Sequence, residues 1–168
     1  LTLTPVQAYV WSDVEGAGED EYGKIVIKRS YTAAKDITLA PGENLVVDFG
    51  QNAAAVPLFE FKAEEGTVLT CLPSEILNDG NGAKSRGMDG PEGSCHRLNL
   101  RTPADGMILE YTFADNKGYV SYSPRCTFYG YRYINVTADA EVTIRSVVSV
   151  PVTSIALEDE TGHITTGN

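Results

Sequence analysis

A period of two runs through this chain and limits what it can become. Leu58-Phe59-Glu60-Phe61-Lys62 and Glu141-Val142-Thr143-Ile144-Arg145 alternate cleanly between apolar and polar residues, and Lys24-Ile25-Val26-Ile27-Lys28 does so more loosely. Successive side chains of a strand point to opposite faces, so such runs set one face in a core and the other in water. Leu45 to Phe49, Thr67 to Leu72, Met107 to Phe113 and Phe128 to Val136 add runs rich in β-branched and aromatic residues. Pro41-Gly42, Glu65-Gly66, Asp105-Gly106 and Lys117-Gly118 supply turn chemistry between them. No segment holds an i, i+3, i+4, i+7 apolar stripe beyond about two turns. The best helix candidate is a single turn near Pro73 to Leu77. The pattern predicts an all-β fold, an antiparallel β-sandwich or jelly roll with little helix.

The totals fit one soluble domain. At 168 residues the chain is long enough to bury a sizeable core. Thirteen basic against 23 acidic residues give a net charge of −10, which repels phosphate backbones and argues against a nucleic-acid partner. A neutral sugar or a cation suits that sign better, and solubility alone explains it too. No apolar run approaches the roughly 20 residues of a membrane-spanning helix, so membrane insertion is not expected. The chain opens at Leu1 without a methionine, which points to a processed or cut end. Cys71, Cys95 and Cys126 are odd in number and widely spaced. They carry no metal signature, allow at most one disulfide, and read as small buried hydrophobes.

From Asn78 to Ser94 the rhythm breaks into a long stretch rich in Gly, Asp and Asn, with almost nothing to bury. That composition predicts a surface loop, where binding residues gather. Asn78, Asp79, Asn81, Asp89 and Glu92 are hard oxygen donors, so calcium is the one cofactor this loop chemistry admits. The spacing is not that of an EF-hand, because the twelfth position from Asp79 is Gly90. Solvated loop polarity is the favoured reading, so no cofactor is expected. Asp48, Glu75, Asp79, Asp89 and Glu92 are also candidates for a glycosidic carboxylate pair, but nothing in their order brings two together. His96 and His163 stand without a Gly-x-Ser-x-Gly elbow or zinc-ligand spacing and read as structural or merely exposed. Tyr129, Tyr131 and Tyr133 alternate along one expected strand and so should share a face, with Arg132 facing away from them. Beside the amides of Gln51 and Asn52, such a face would serve as a sugar platform or as a packing surface.

Three segments resemble a known family. Val46-Val47-Asp48-Phe49-Gly50-Gln51-Asn52, the run from Glu64 through Gly66-Thr67 and Ser74-Glu75-Ile76-Leu77 to Asp79-Gly80, and Tyr122-Ser123-Pro124-Arg125-Cys126-Thr127-Phe128-Tyr129-Gly130-Tyr131-Arg132-Tyr133 stand in the order found there. Together they are similar to the concanavalin-like domain of bacterial α-L-rhamnosidases, family 78 of the glycoside hydrolases, over about Ile37 to Val150. The resemblance implies a division of labour. An (α/α)6 barrel of the same polypeptide would hold the inverting acidic pair, and this sandwich would be a non-catalytic accessory domain packed against it. On that reading residues 1–36 are N-terminal strands leading into the sandwich. Residues 37–157 form the sandwich, and 158–168 are a final strand and a linker to a barrel that this sequence does not include. No residue here would inherit a catalytic role. A rhamnosyl saccharide is a possible weak ligand, and a periplasmic or secreted location is favoured over the cytoplasm. The alternative roles are an independent carbohydrate-binding module and a cell-surface interaction domain. Asp48, Gly50, Glu75, Gly130 and Arg132 are the motif residues with structural work to do. Gly130, set among aromatic residues in a strand, suggests a bulge or a close backbone approach, and Arg132 is placed to pair with Glu75 or Asp48.

Overall fold

The computed structural model of the chain describes residues 2–81, 88–98, 100, 106–115, 117–155, 159, 161–162 and 164–167. Among them lie the strands β1 (Gln7–Glu15), β2 (Lys24–Tyr31), β3 (Lys35–Leu39), β4 (Asn44–Ala63), β5 (Val68–Ser74), β6 (Ile76–Leu77), β7 (Cys95–His96), β8 (Leu109–Thr112), β9 (Val120–Tyr122), β10 (Tyr129–Ala138) and β11 (Val142–Pro151). No helix among the described residues is long and apolar enough to cross a membrane.

Two layers share one strand. The first half of β4 pairs with β1 and β10, and the order β2-β1-β4-β10-β5-β8 makes the first layer. The second half of β4 pairs with β11 and β9, and β3 joins the far edge of β11 to complete the second. All of these pairings are antiparallel, and the N-terminal strands β1 and β2 are hydrogen-bonded into the first layer. The alternation read from sequence explains the sandwich. Ala55, Phe59 and Phe61 of β4 and Val142 and Ile144 of β11 turn inward to meet Leu45, Val47, Ile134 and Val136 of the facing layer in one core. Phe61 is the centre of an aromatic group, with Phe113 at 4.8 Å and Tyr111 at 4.9 Å between ring centroids. Gly42 and Gly66 take left-handed φ values of 81° and 85° at two of the expected turns.

Several expectations need correction. Pro73 to Leu77 is not a helical turn: β5 runs to Ser74 and β6 follows after Glu75, because Pro73 and Ser74 are already paired with β10. The runs at 45–49 and 58–62 belong to one strand, not two. The Asn78 to Ser94 stretch has more to bury than its composition suggests, since Asn78, Met88 and Ser94 are all buried. Its centre, residues 82–87, lies outside the described residues, as do Asp105 of one expected turn and His163. The final strand expected after residue 157 is not found: the described residues beyond Pro151 are in no strand, and 156–158, 160, 163 and 168 lie outside them. All three cysteines are free, and whereas Cys71 is buried, Cys126 is exposed.

Candidate functional site

The site is built where β4 passes from one layer to the other. Tyr131 of β10 pairs with Ala53, but Tyr133 pairs with Asp48, so residues 49–52 of β4 are spanned by Arg132 alone. The surplus chain bulges outward, which frees Gly50, Gln51 and Asn52 to the surface. Gly50 turns the corner with φ of 76°. A Cβ there would meet Val6 Cγ1 at 3.1 Å, so both the backbone angle and the space call for glycine.

Asp48 holds the kink together. Its Oδ1 accepts from the Gly50 amide at 2.7 Å and from Arg132 Nε at 2.8 Å, and its Oδ2 accepts from Arg132 Nη2 at 2.9 Å. Of the two carboxylates named for Arg132, Asp48 takes it, in the two-pronged geometry that suits a guanidinium. The hydrogen bond to Asp48 holds the Arg132 pKa above its ordinary value. Glu75 is engaged with the other limb, accepting from Asn52 Nδ2 at 3.1 Å.

The same register shift corrects the reading of the tyrosines. Tyr131 lies in the main core, its hydroxyl 2.8 Å from Ser149 Oγ, while Tyr133 packs on the opposite face with Tyr9, Ile25 and Val46. Arg132 does not face away from Tyr133. Its guanidinium lies over that ring, 4.9 Å from the centroid. Tyr129 is half-buried at the rim of the main core. Burial pushes both the Tyr131 and Tyr133 hydroxyls above the usual phenol pKa. Gly130 is exposed, and a Cβ there would lie 3.7 Å from Glu75 Oε1, an ordinary contact. The bulge therefore falls two residues beyond Gly130, at Arg132.

The acids of the 78–94 stretch are each occupied separately. Asp89 Oδ1 lies 3.1 Å from Nδ1 of the buried His96, and its Oδ2 accepts from the amides of Arg97 at 2.8 Å and Leu98 at 3.0 Å. Burial pushes the Asp89 carboxyl up, but the Arg97 amide, Asn78 and His96 outweigh it and hold the group below the ordinary carboxylate range. Asp79 accepts from the Asn81 amide at 3.0 Å, and Glu92 pairs with Lys24 Nζ at 2.9 Å. Among the described residues no three His, Cys, Asp or Glu side chains converge as a metal centre would require.

Residues 37–153 match the family described as the bacterial alpha-L-rhamnosidase concanavalin-like domain. The chain belongs to that family. An α-L-rhamnosidase of Streptomyces avermitilis is 30% identical over 135 residues, which is 76% of this chain and 12% of the relative. A rhamnosidase from Klebsiella oxytoca solved with rhamnose bound shares the fold, with a TM-score of 0.55 at 14% identity over 92% of this chain and 29% of its own. A family 78 rhamnosidase of Bacillus sp. GL1 aligns over 66% of this chain and 10% of its own, at 22% identity and a TM-score of 0.45. This rhamnosidase domain thus spans only a small part of the relatives it matches.

Sequence reasoning missed the residues that tie the domain's long loop down. Asn78 Nδ2 donates to Ser94 Oγ at 2.8 Å, and Tyr9 Oη donates to the Gly93 carbonyl at 2.6 Å, from a strand 84 positions away. A polar residue at each end of a glycine-rich stretch was the available signal for Asn78 and Ser94. Nothing local marks Tyr9.

Proposed function

We propose that this chain is a non-catalytic accessory domain of an α-L-rhamnosidase, and that the acids which invert the anomeric centre lie in a helical barrel elsewhere in the same polypeptide. The observation that carries the reading is the state of the acids at the kink of a domain belonging to this family. Asp48 is gripped by Arg132 and Gly50, and Glu75 by Asn52, whereas glycoside hydrolysis needs one acid free to protonate and one free to activate water, roughly 6.5 to 9.5 Å apart for inversion. Gln51 and Asn52 stand exposed on the bulge, where they are available to the neighbouring barrel or to a saccharide lying against it.

The test is turnover. The chain alone, offered an aryl α-L-rhamnoside, should release no phenol above the uncatalysed rate. A polypeptide that carries the domain with its barrel should hydrolyse the same compound. Release by the chain alone, abolished by Glu75→Gln or Asp48→Asn in a variant that still folds, would overturn the accessory reading.

A further inference from the structure

β2 is one outer strand of the first layer and β3 is one outer strand of the second, and among the described residues neither carries a further strand on its free edge. Arg29 of β2 reaches across the gap, and its Nη2 donates to the Thr38 carbonyl of β3 at 3.1 Å. Glu43 grips the guanidinium from beneath, accepting from Nη1 at 2.9 Å and Nη2 at 2.6 Å, and the Ala40 amide donates to the same carboxylate at 3.0 Å. Arg29 Nε donates to Tyr31 Oη at 3.2 Å. That contact fixes the phenol oxygen as an acceptor on one side and leaves its proton to be donated on the other. A cleft of about 390 Å³ lies here, lined by Arg29, Tyr31, Asp36, Thr38, Ala40 and Glu43.

Asp36 is the unusual member. It sits at φ of 52°, a left-handed conformation that costs energy for a residue with a side chain and that Asp and Asn tolerate best. Strain of that kind gathers where a site needs a group held in place. Its side chain is exposed and has no partner among the described residues. The cleft wall therefore offers an ion pair already neutralised within itself, a free carboxylate, a phenol proton and the Thr38 hydroxyl. An anion would meet Asp36, and among the described residues that line the cleft no unpaired cation balances it. A cation would meet the face of Arg29 and the donated proton of Tyr31. Vicinal hydroxyls, each both donor and acceptor, satisfy the wall without a charge penalty. The volume is that of a small-molecule site. Tyr31 also lines a second cleft, of about 300 Å³, with Val6, Gln7, Ser30 and Thr32.

We propose that this cleft is a binding subsite for a neutral saccharide, with Asp36 accepting from its hydroxyls and Tyr31 donating to them. The proposal goes beyond the accessory role, because it gives this domain a ligand of its own whatever the barrel cleaves. Titrating the isotope-labelled chain with L-rhamnose, D-galactose and a rhamnosyl disaccharide, followed by amide shifts, tests it. Saturable shifts should appear at Tyr31, Asp36 and Thr38 with at least one of these sugars. Binding should weaken by about tenfold or more in Asp36→Asn and in Tyr31→Phe. Asn keeps the left-handed backbone and Phe keeps the ring, so both variants should fold. If either does not, the other decides. No saturable shift at these residues with any of the three sugars at high millimolar concentration, or affinity unchanged in the folded variants, would overturn the proposal. Such a failure would leave the turnover result untouched, so the two readings fall separately.

Discussion

Asp48 is buried, and Arg132 is the side chain that neutralises it. Truncating Arg132 strands a buried carboxylate that, among the described residues, keeps the Gly50 amide as its one donor. Arg132→Ala should therefore cost about 2 kcal/mol in urea unfolding, and Arg132→Lys should recover little of it, since a lysine cannot reproduce the two-pronged grip. Asp89 allows a prediction of sign. Its folded carboxyl lies below the ordinary range, so the unfolded chain binds the extra proton as pH falls. The stability this group contributes is present above the ordinary carboxylate pKa of about 4 and is lost as pH drops through that range toward the folded value. Acid unfolding curves of wild type and Asp89→Asn should converge at low pH, with wild type the more stable near neutrality. Parallel curves would mean that Asp89 does not report on folding.

At the level of elements, the kink of β4 depends on Gly50. Gly50→Ala should destabilise the domain by about 1–2 kcal/mol for the left-handed backbone, plus a further cost for crowding Val6. Adding Val6→Ala should relieve only the second part, so denaturant midpoints of the two singles and the double separate the contributions. This region also marks how far the sequence could be read. The strands around Phe59–Phe61 and Val142–Ile144 were legible because each alternates against one core. β4 was not legible as one strand, since Gly50-Gln51-Asn52 has the residue types of a turn and the hydrogen bonds that carry it onward come from β1, β10 and β11. The faces of Tyr131 and Tyr133 were misread for a related reason. A bulge shifts the phase of alternation, and its position is set by the partner strand. Within the candidate site, the Asp48–Arg132 pair could be named because both residues lie in recognisable motifs. The cleft could not, because Arg29 and Tyr31 of β2 come up against Asp36 and Thr38 of β3 only when the two layers close.

For the molecule as a whole, the cysteines give a simple check on packing. All three are free, Cys126 is exposed, and burial pushes the Cys95 thiol up to about 12, with Cys71 raised for the same reason. Little thiolate exists at the two inner sites near neutral pH. A thiol reagent should therefore label one cysteine quickly in the native protein and three after unfolding. Fast labelling of the buried Cys71 in the native state would show that the interior opens.

The shared strand has a consequence for how this domain comes apart. An ordinary sandwich is two sheets that can in principle separate like the covers of a book, each keeping its own ladder. Here the spine of the book is itself a page of both covers, because β4 lies in the middle of each layer. Peeling off either layer breaks the ladder that supports the other, so no half-structure is left to persist. Amide protons along β4 should exchange together, through opening of the entire domain. A single protease cut in the exposed Gly50–Asn52 bulge would then undo both halves at once.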